Sequence, residues 1–157
     1  MSDNRYWGDL HTHCAISYGY GSLERAFKLG REHLDFCSVV GHATWHDMPT
    51  DRDRYAFIID FHEEGFARLA QNWKTMQETV ARYNEPGRFA TFLGYEWHSC
   101  AYGDYNVYYL EDDGEIVERD SLEELDEALK GRETMTHPHH IGYGKGYRGI
   151  NWDHFDA

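Results

Sequence analysis

Cysteine is scarce in this chain of 157 residues, and the three present, Cys14, Cys37 and Cys100, stand far apart. There is no Cys-x-x-Cys, so neither a disulfide framework nor a four-cysteine zinc site is supported. Isolated cysteines suit a reducing compartment. No run approaches the roughly 18 apolar residues of a membrane span, and residues 1–7 contain no apolar signal region. A soluble, cytoplasmic protein without membrane partners is the expectation. Basic residues are also few: 15 Lys and Arg face 28 Asp and Glu, for a net charge of −13. Such a surface repels phosphate backbones and argues against a general nucleic-acid binder. It leaves a small anionic substrate open, because a bound metal reverses the local field. Three catalytic signatures are missing as well: the Gly-x-Ser-x-Gly elbow, the Walker-type glycine loop and a Gly-x-Gly-x-x-Gly turn after a strand. The glycine-rich stretch from Gly142 to Gly146 lacks the strand–loop–helix setting of a phosphate cradle.

What the chain has in excess is histidine, with 11, and aromatic residues, at 16%. Disorder is therefore not expected. The length fits one domain over 1–157 and is short of the roughly 250 residues of a complete (β/α) barrel. Tyr6 to Leu10 reads as a first strand, running into His11-Thr12-His13. Ser22 is a good N-cap for a helix through His33. Leu34 to Val40 reads as a buried strand ending at Gly41-His42. From Arg54 to Tyr83 apolar residues recur at spacings of three or four, which predicts helix, with Gly65 a candidate break. Phe89–Tyr95 and Tyr105–Leu110 read as strands, Leu122–Lys130 as a short helix, and Thr134–Thr136 as a last strand. This alternation predicts an α/β fold with a mostly parallel sheet.

Residues of metal-binding type fall where these strands end: His11 and His13, His42, Glu96 with His98, and His137 followed by His139 and His140. In parallel α/β folds the carboxyl ends of the strands form the site. A His-x-His on a strand sends both rings to one face, as two ligands of one ion require. His33, His62 and His154 have no such placement and read as structural or surface groups.

In order, these segments resemble the motifs of the PHP (polymerase and histidinol phosphatase) superfamily. Gly8-Asp9-Leu10-His11-Thr12-His13 resembles its first motif, and Leu34 through His42 is similar to its second. Gly94-Tyr95-Glu96 resembles the segment that carries its bridging glutamate, and Thr136-His137-Pro138 its later His-Pro motif. Gly94-Tyr95-Glu96-Trp97, Asn106-Val107-Tyr108 and Gly149-Ile150-Asn151-Trp152 resemble a large, poorly characterised branch of that superfamily. The resemblance implies a partial or distorted (β/α)7 PHP-type barrel with two or three divalent ions, Zn, Mn or Fe. By position, His11, His13 and Glu96 would hold one ion, Glu96 and His137 a second, and His42 a third. Asp104 stands where a histidine is often found and would still suit a hard cation. The superfamily's final Asp-x-His motif has no match before Ala157, so an N-terminal portion is expected, with a homo-oligomer or a complementary chain covering the open barrel.

The resemblance implies a metal-dependent hydrolase of phosphate, sulfate or phosphonate esters. A bound cation lowers the pKa of water toward about 7, and the resulting hydroxide attacks the ester. His98, His139 or His140 would serve as the catalytic proton donor. Two readings of other classes stay open: a degenerate metal-binding or interaction domain, and an α/β domain whose histidines are incidental.

Overall fold

The computed structural model describes residues 4–146 and 148–154. Five strands, three α-helices and a 3-10 turn follow one another in these residues. They are β1 (Gly8–Thr12), α1 (Leu23–His33), β2 (Phe36–Trp45), α2 (Arg52–Tyr83), β3 (Ala90–His98), β4 (Tyr105–Tyr109), α3 (Leu122–Leu129), β5 (Thr134–Pro138) and the turn Trp152–His154. No helix among them is long and apolar enough to cross a membrane.

The strands form one sheet in chain order, β1-β2-β3-β4-β5. β1, β2 and β3 are parallel, but β3 with β4 and β4 with β5 are antiparallel. The expected (β/α)7 barrel with mostly parallel strands is therefore not what the chain forms. It is a mixed five-stranded sheet curled into a half-barrel. One reason is length: only residues 99–104 join β3 to β4. A parallel crossover needs about a dozen residues, so this link can only return antiparallel. The longer link from β4 to β5 packs α3 through Leu122, Leu125 and Leu129, and again returns antiparallel.

The curl brings β4 to β1 across two intervening strands. The Tyr108 hydroxyl donates to the Leu10 carbonyl at 2.9 Å. Alternation along each strand then sorts the side chains between the two faces. Leu93, Tyr95 and Trp97 of β3 join Val39, Val107, Leu69 and Leu125 in the core beneath the helices. Phe92, Gly94, Glu96 and His98 alternate with them and face the concave side. At the N-terminal ends of the parallel strands this concave side is apolar, a cleft of about 700 Å³ lined in part by Leu10, Phe36, Phe92, Tyr108 and Met135. At their C-terminal ends it is polar.

Ser22 caps α1 as expected, its Oγ accepting from the Arg25 N–H at 3.2 Å. The expected break at Gly65 is absent. α2 runs unbroken through it and departs from helical angles only at Tyr55. Gly65 is required by packing instead: a Cβ there would lie 2.1 Å from the Tyr18 ring. Gly41 likewise lets α2 approach β2, since a Cβ would meet Leu69 at 2.5 Å. In an open helix Gly→Ala gains about 1 kcal/mol. In this fold we expect Gly65→Ala to cost about 1–3 kcal/mol net, the usual penalty for overpacking, with a lower melting temperature in calorimetry. A gain in stability would contradict this packing.

Candidate metal centre

One row of the sheet builds the polar end. His42 of β2 pairs with Glu96 of β3, Glu96 with Asn106 of β4, and Asn106 with His137 of β5. Paired residues share a face, so all four belong to the concave side. Because β4 runs antiparallel, its N-terminal end lies at this edge and brings Asp104 with it. A register shift between Asp9 and Thr12 displaces β1 beside His11. The Asp9 carboxylate accepts from the His11 backbone N–H at 2.8 Å and holds the irregularity, a device that re-aims side chains near sites.

Glu96 is the hub. It is 0% exposed, and neither carboxylate oxygen has a hydrogen-bond partner among the described residues. Its Oε2 faces His42 Nδ1 at 3.1 Å, His13 Nε2 at 3.6 Å and His11 Nε2 at 3.9 Å. Its Oε1 faces His98 Nδ1 at 3.6 Å and His139 Nε2 at 3.7 Å. His11 Nε2 and His13 Nε2 point at each other across 2.9 Å. Three donor sets are tight enough to hold a metal ion, and Glu96 belongs to all of them: His11–Glu96–His139, His13–His42–Glu96 and Glu96–His98–Asp104. The buried cluster can therefore hold a metal ion.

The residues expected from the sequence divide as follows. His11, His13, His42, Glu96, His98, Asp104 and His139 all enter these sets. His137 shares the concave face but is exposed at the sheet edge, and none of the three sets includes it. His98 is buried, with its Nε2 at 2.9 Å from His42 Nδ1 and its Nδ1 at 3.0 Å from Asp104 Oδ2. His140 places Nδ1 3.0 Å from Asp104 Oδ2 and stacks on Tyr143 with ring centroids 4.2 Å apart. His62 donates from Nδ1 to the Ile58 carbonyl at 2.7 Å and sits behind the cluster. The side chain of His154 lies outside the described residues.

Sequence reasoning missed two members. Asn106 puts Nδ2 2.9 Å from His11 Nδ1 and fixes that ring. Its signal was available, as a polar residue inside the apolar run Tyr105–Tyr109. Arg148 left no such signal. It reaches in from an irregular segment, with Nε 2.7 Å from Asp104 Oδ2 and Nη2 2.9 Å from His98 Nδ1. Tyr18 stacks on His42, with ring centroids 3.7 Å apart and an interplanar angle of 14°.

The electrostatics favour neutral rings. Burial lowers the His11 pKa to about 4, helped by the neighbouring His13. Burial takes His98 to about 4, and burial with His11 and His140 takes His139 to about 3. Burial also lowers His42 and His13. Their lone pairs are thus free for a metal at neutral pH. Glu96 is pushed well above the usual carboxylate value, by burial first and then by the Asp104 charge, against the pull of Arg148. A cation would reverse that. For Asp104 burial pushes upward too, but the close approach of His140 and His98 and the charge of Arg148 outweigh it, and its pKa is lowered.

These shifts fix a pH dependence for the metal-free protein. Histidines with folded pKa values near 4, against 6.5 unfolded, take up protons on unfolding between those values. Stability therefore falls as pH drops through that window. Glu96, with its raised pKa, acts oppositely above about 4.5, but it is one group against several. We expect the melting temperature of chelator-treated protein to fall between pH 7 and pH 5. An unchanged or rising melting temperature would contradict the buried neutral rings.

A family model described as "Protein of unknown function (DUF3604)" matches residues 42–109, from His42 through the end of β4. The chain is similar to that family over this stretch, which contains Glu96, His98, Asp104 and Asn106. No curated protein matches the chain.

Proposed function

We propose that this chain is a metal-dependent hydrolase of phosphate or related anionic esters. One observation carries the reading. A fully buried carboxylate has no hydrogen-bond partner for either oxygen among the described residues, yet five histidine nitrogens lie within 4 Å of it. An ionised carboxylate in such a place costs several kcal/mol, on the order set by charge desolvation, unless a cation compensates it. The ordered motifs that resemble the PHP superfamily support the same reading.

The residues fit a divalent ion. Mixed imidazole and carboxylate donors suit Zn, Mn or Fe. His13, His42 and Glu96 would hold one ion, and His11, His139 and Glu96 a second. When bound, a divalent ion supplies Lewis acidity and brings the pKa of coordinated water toward about 7. The protein groups do the rest. Asn106 contacts Nδ1 of His11 and holds that ring with its Nε2 toward Glu96. Tyr18 stacks over His42 and shields it from water. Asp104 is kept ionised and lies 3.0 Å from His140 Nδ1, and His140 would serve as the proton donor to a leaving oxygen. Phosphate, sulfate and phosphonate esters all present a tetrahedral anionic centre, and a cationic cluster inside an acidic protein would attract each of them.

The test is metal content of protein purified without chelator, with the same sample assayed on nitrophenyl phosphate, diester, phosphonate and sulfate substrates. We expect bound metal, chelator-sensitive turnover of at least one ester class, and loss of both in Glu96→Gln. Removal of such a ligand should lower turnover by at least about 100-fold. Bound metal without turnover on any ester would leave a non-catalytic metal-binding domain. Full turnover in Glu96→Gln would overturn the scheme.

A further inference from the structure

Of the three donor sets around Glu96, one already contains a cation. Every donor atom of the Glu96–His98–Asp104 set faces the Arg148 side chain. Asp104 Oδ2 lies 2.7 Å from Nε, His98 Nδ1 2.9 Å from Nη2, and Glu96 Oε1 3.6 Å from Nη2. No other lysine or arginine among the described residues forms an ion pair with Glu96 or Asp104, and Arg148 touches the sets around His13 and His11 only through Glu96 Oε1. We propose that Arg148 is a built-in cation that takes the place of a metal ion at this third position, so that the wild-type protein loads metal only at the two remaining sets. The inference rests on the reading of the cluster as a metal centre.

The guanidinium is held there rather than resting there. Arg148 has a left-handed backbone, φ 59°, which a non-glycine residue adopts only when its surroundings enforce it. The surroundings are visible. The Arg148 carbonyl accepts from the Asp104 N–H at 3.3 Å, and Asn151 N–H donates to the Tyr102 carbonyl at 3.0 Å. Asn151 Nδ2 donates to the Ala101 carbonyl at 3.0 Å. Gly103 has no room for a Cβ, which would meet Ile150 Cα at 2.7 Å. The segment 148–151 is thus docked on the turn that carries Asp104. On its far side the guanidinium lies over the Trp45 ring at 5.4 Å. A guanidinium is always charged and gives up hydration more readily than an ammonium, so it suits a buried position between two carboxylates. Its N–H groups occupy the lone pairs that an ion would need.

The experiment compares metal stoichiometry in wild type and Arg148→Ala, each reconstituted with Co(II) or Mn(II) and measured by mass spectrometry of the folded protein. We expect the variant to hold one equivalent more than wild type, with a new visible absorption band in the Co(II) form. Equal stoichiometry in the two overturns the inference and leaves the proposed function standing. No metal in wild type overturns the proposed function instead; gain of one equivalent by the variant would then still support the inference, and no gain would overturn it. Should the variant fail to fold, anomalous scattering from wild-type crystals grown with Mn(II) decides. Peaks at the sets around His13 and His11, with none between Glu96, His98 and Asp104, support the inference. A peak at that third position overturns it.

Discussion

A carboxylate removed from water at the middle of a sheet must be compensated, and Glu96 is that carboxylate. The structure around it is arranged as compensation. Strands β1, β2 and β3 deliver imidazoles to it from their carboxyl ends, β4 delivers Asn106 and Asp104 from its amino end, and β5 runs out into His139. Buried rings that stay neutral are poor partners for a buried anion on their own, because they bring no charge. They are good donors to a metal ion. The same burial that costs the metal-free protein stability prepares the cluster for a cation.

The half-barrel is what makes this convergence possible with few strands. Strict alternation puts Leu93, Tyr95 and Trp97 under the helices and leaves Glu96 and His98 on the concave side. The curl then closes the distance from β4 to β1, through Tyr108 on Leu10 and Asn106 on His11. Small residues permit it. Gly94 leaves space for Tyr108, and Gly65 leaves space for Tyr18 to stack on His42. The site and the core are therefore two faces of the same strands, and a register slip of one residue would exchange them.

Much of this was legible in the sequence. Helices and strands follow from apolar periodicity, and the strand-end rule singled out His11, His13, His42, Glu96, His98 and His137, of which all but His137 enter the donor sets. Sheet direction was misread, although the six residues between His98 and Tyr105 carried the needed information: no parallel crossover fits in them. Gly65 was misread as a break because propensity is a local property and the contact with Tyr18 is not. His137 and His139 are near neighbours in sequence, and only the way β5 ends decides which ring turns toward Glu96. Arg148 was illegible for a deeper reason. It sits in an irregular, glycine-rich segment with no periodicity, and its position depends on backbone bonds to residues 101–104 that no local pattern encodes.

The central claim is that Glu96 and the histidines around it form the ligand shell of a divalent ion. X-ray absorption spectroscopy of the Zn(II)-loaded protein tests it most directly. The account predicts only nitrogen and oxygen neighbours at about 2.0–2.2 Å, with the outer-shell scattering of several imidazoles, and loss of that imidazole pattern in Glu96→Gln. A sulfur neighbour at about 2.3 Å, or a shell of water oxygens without imidazole scattering, would contradict it.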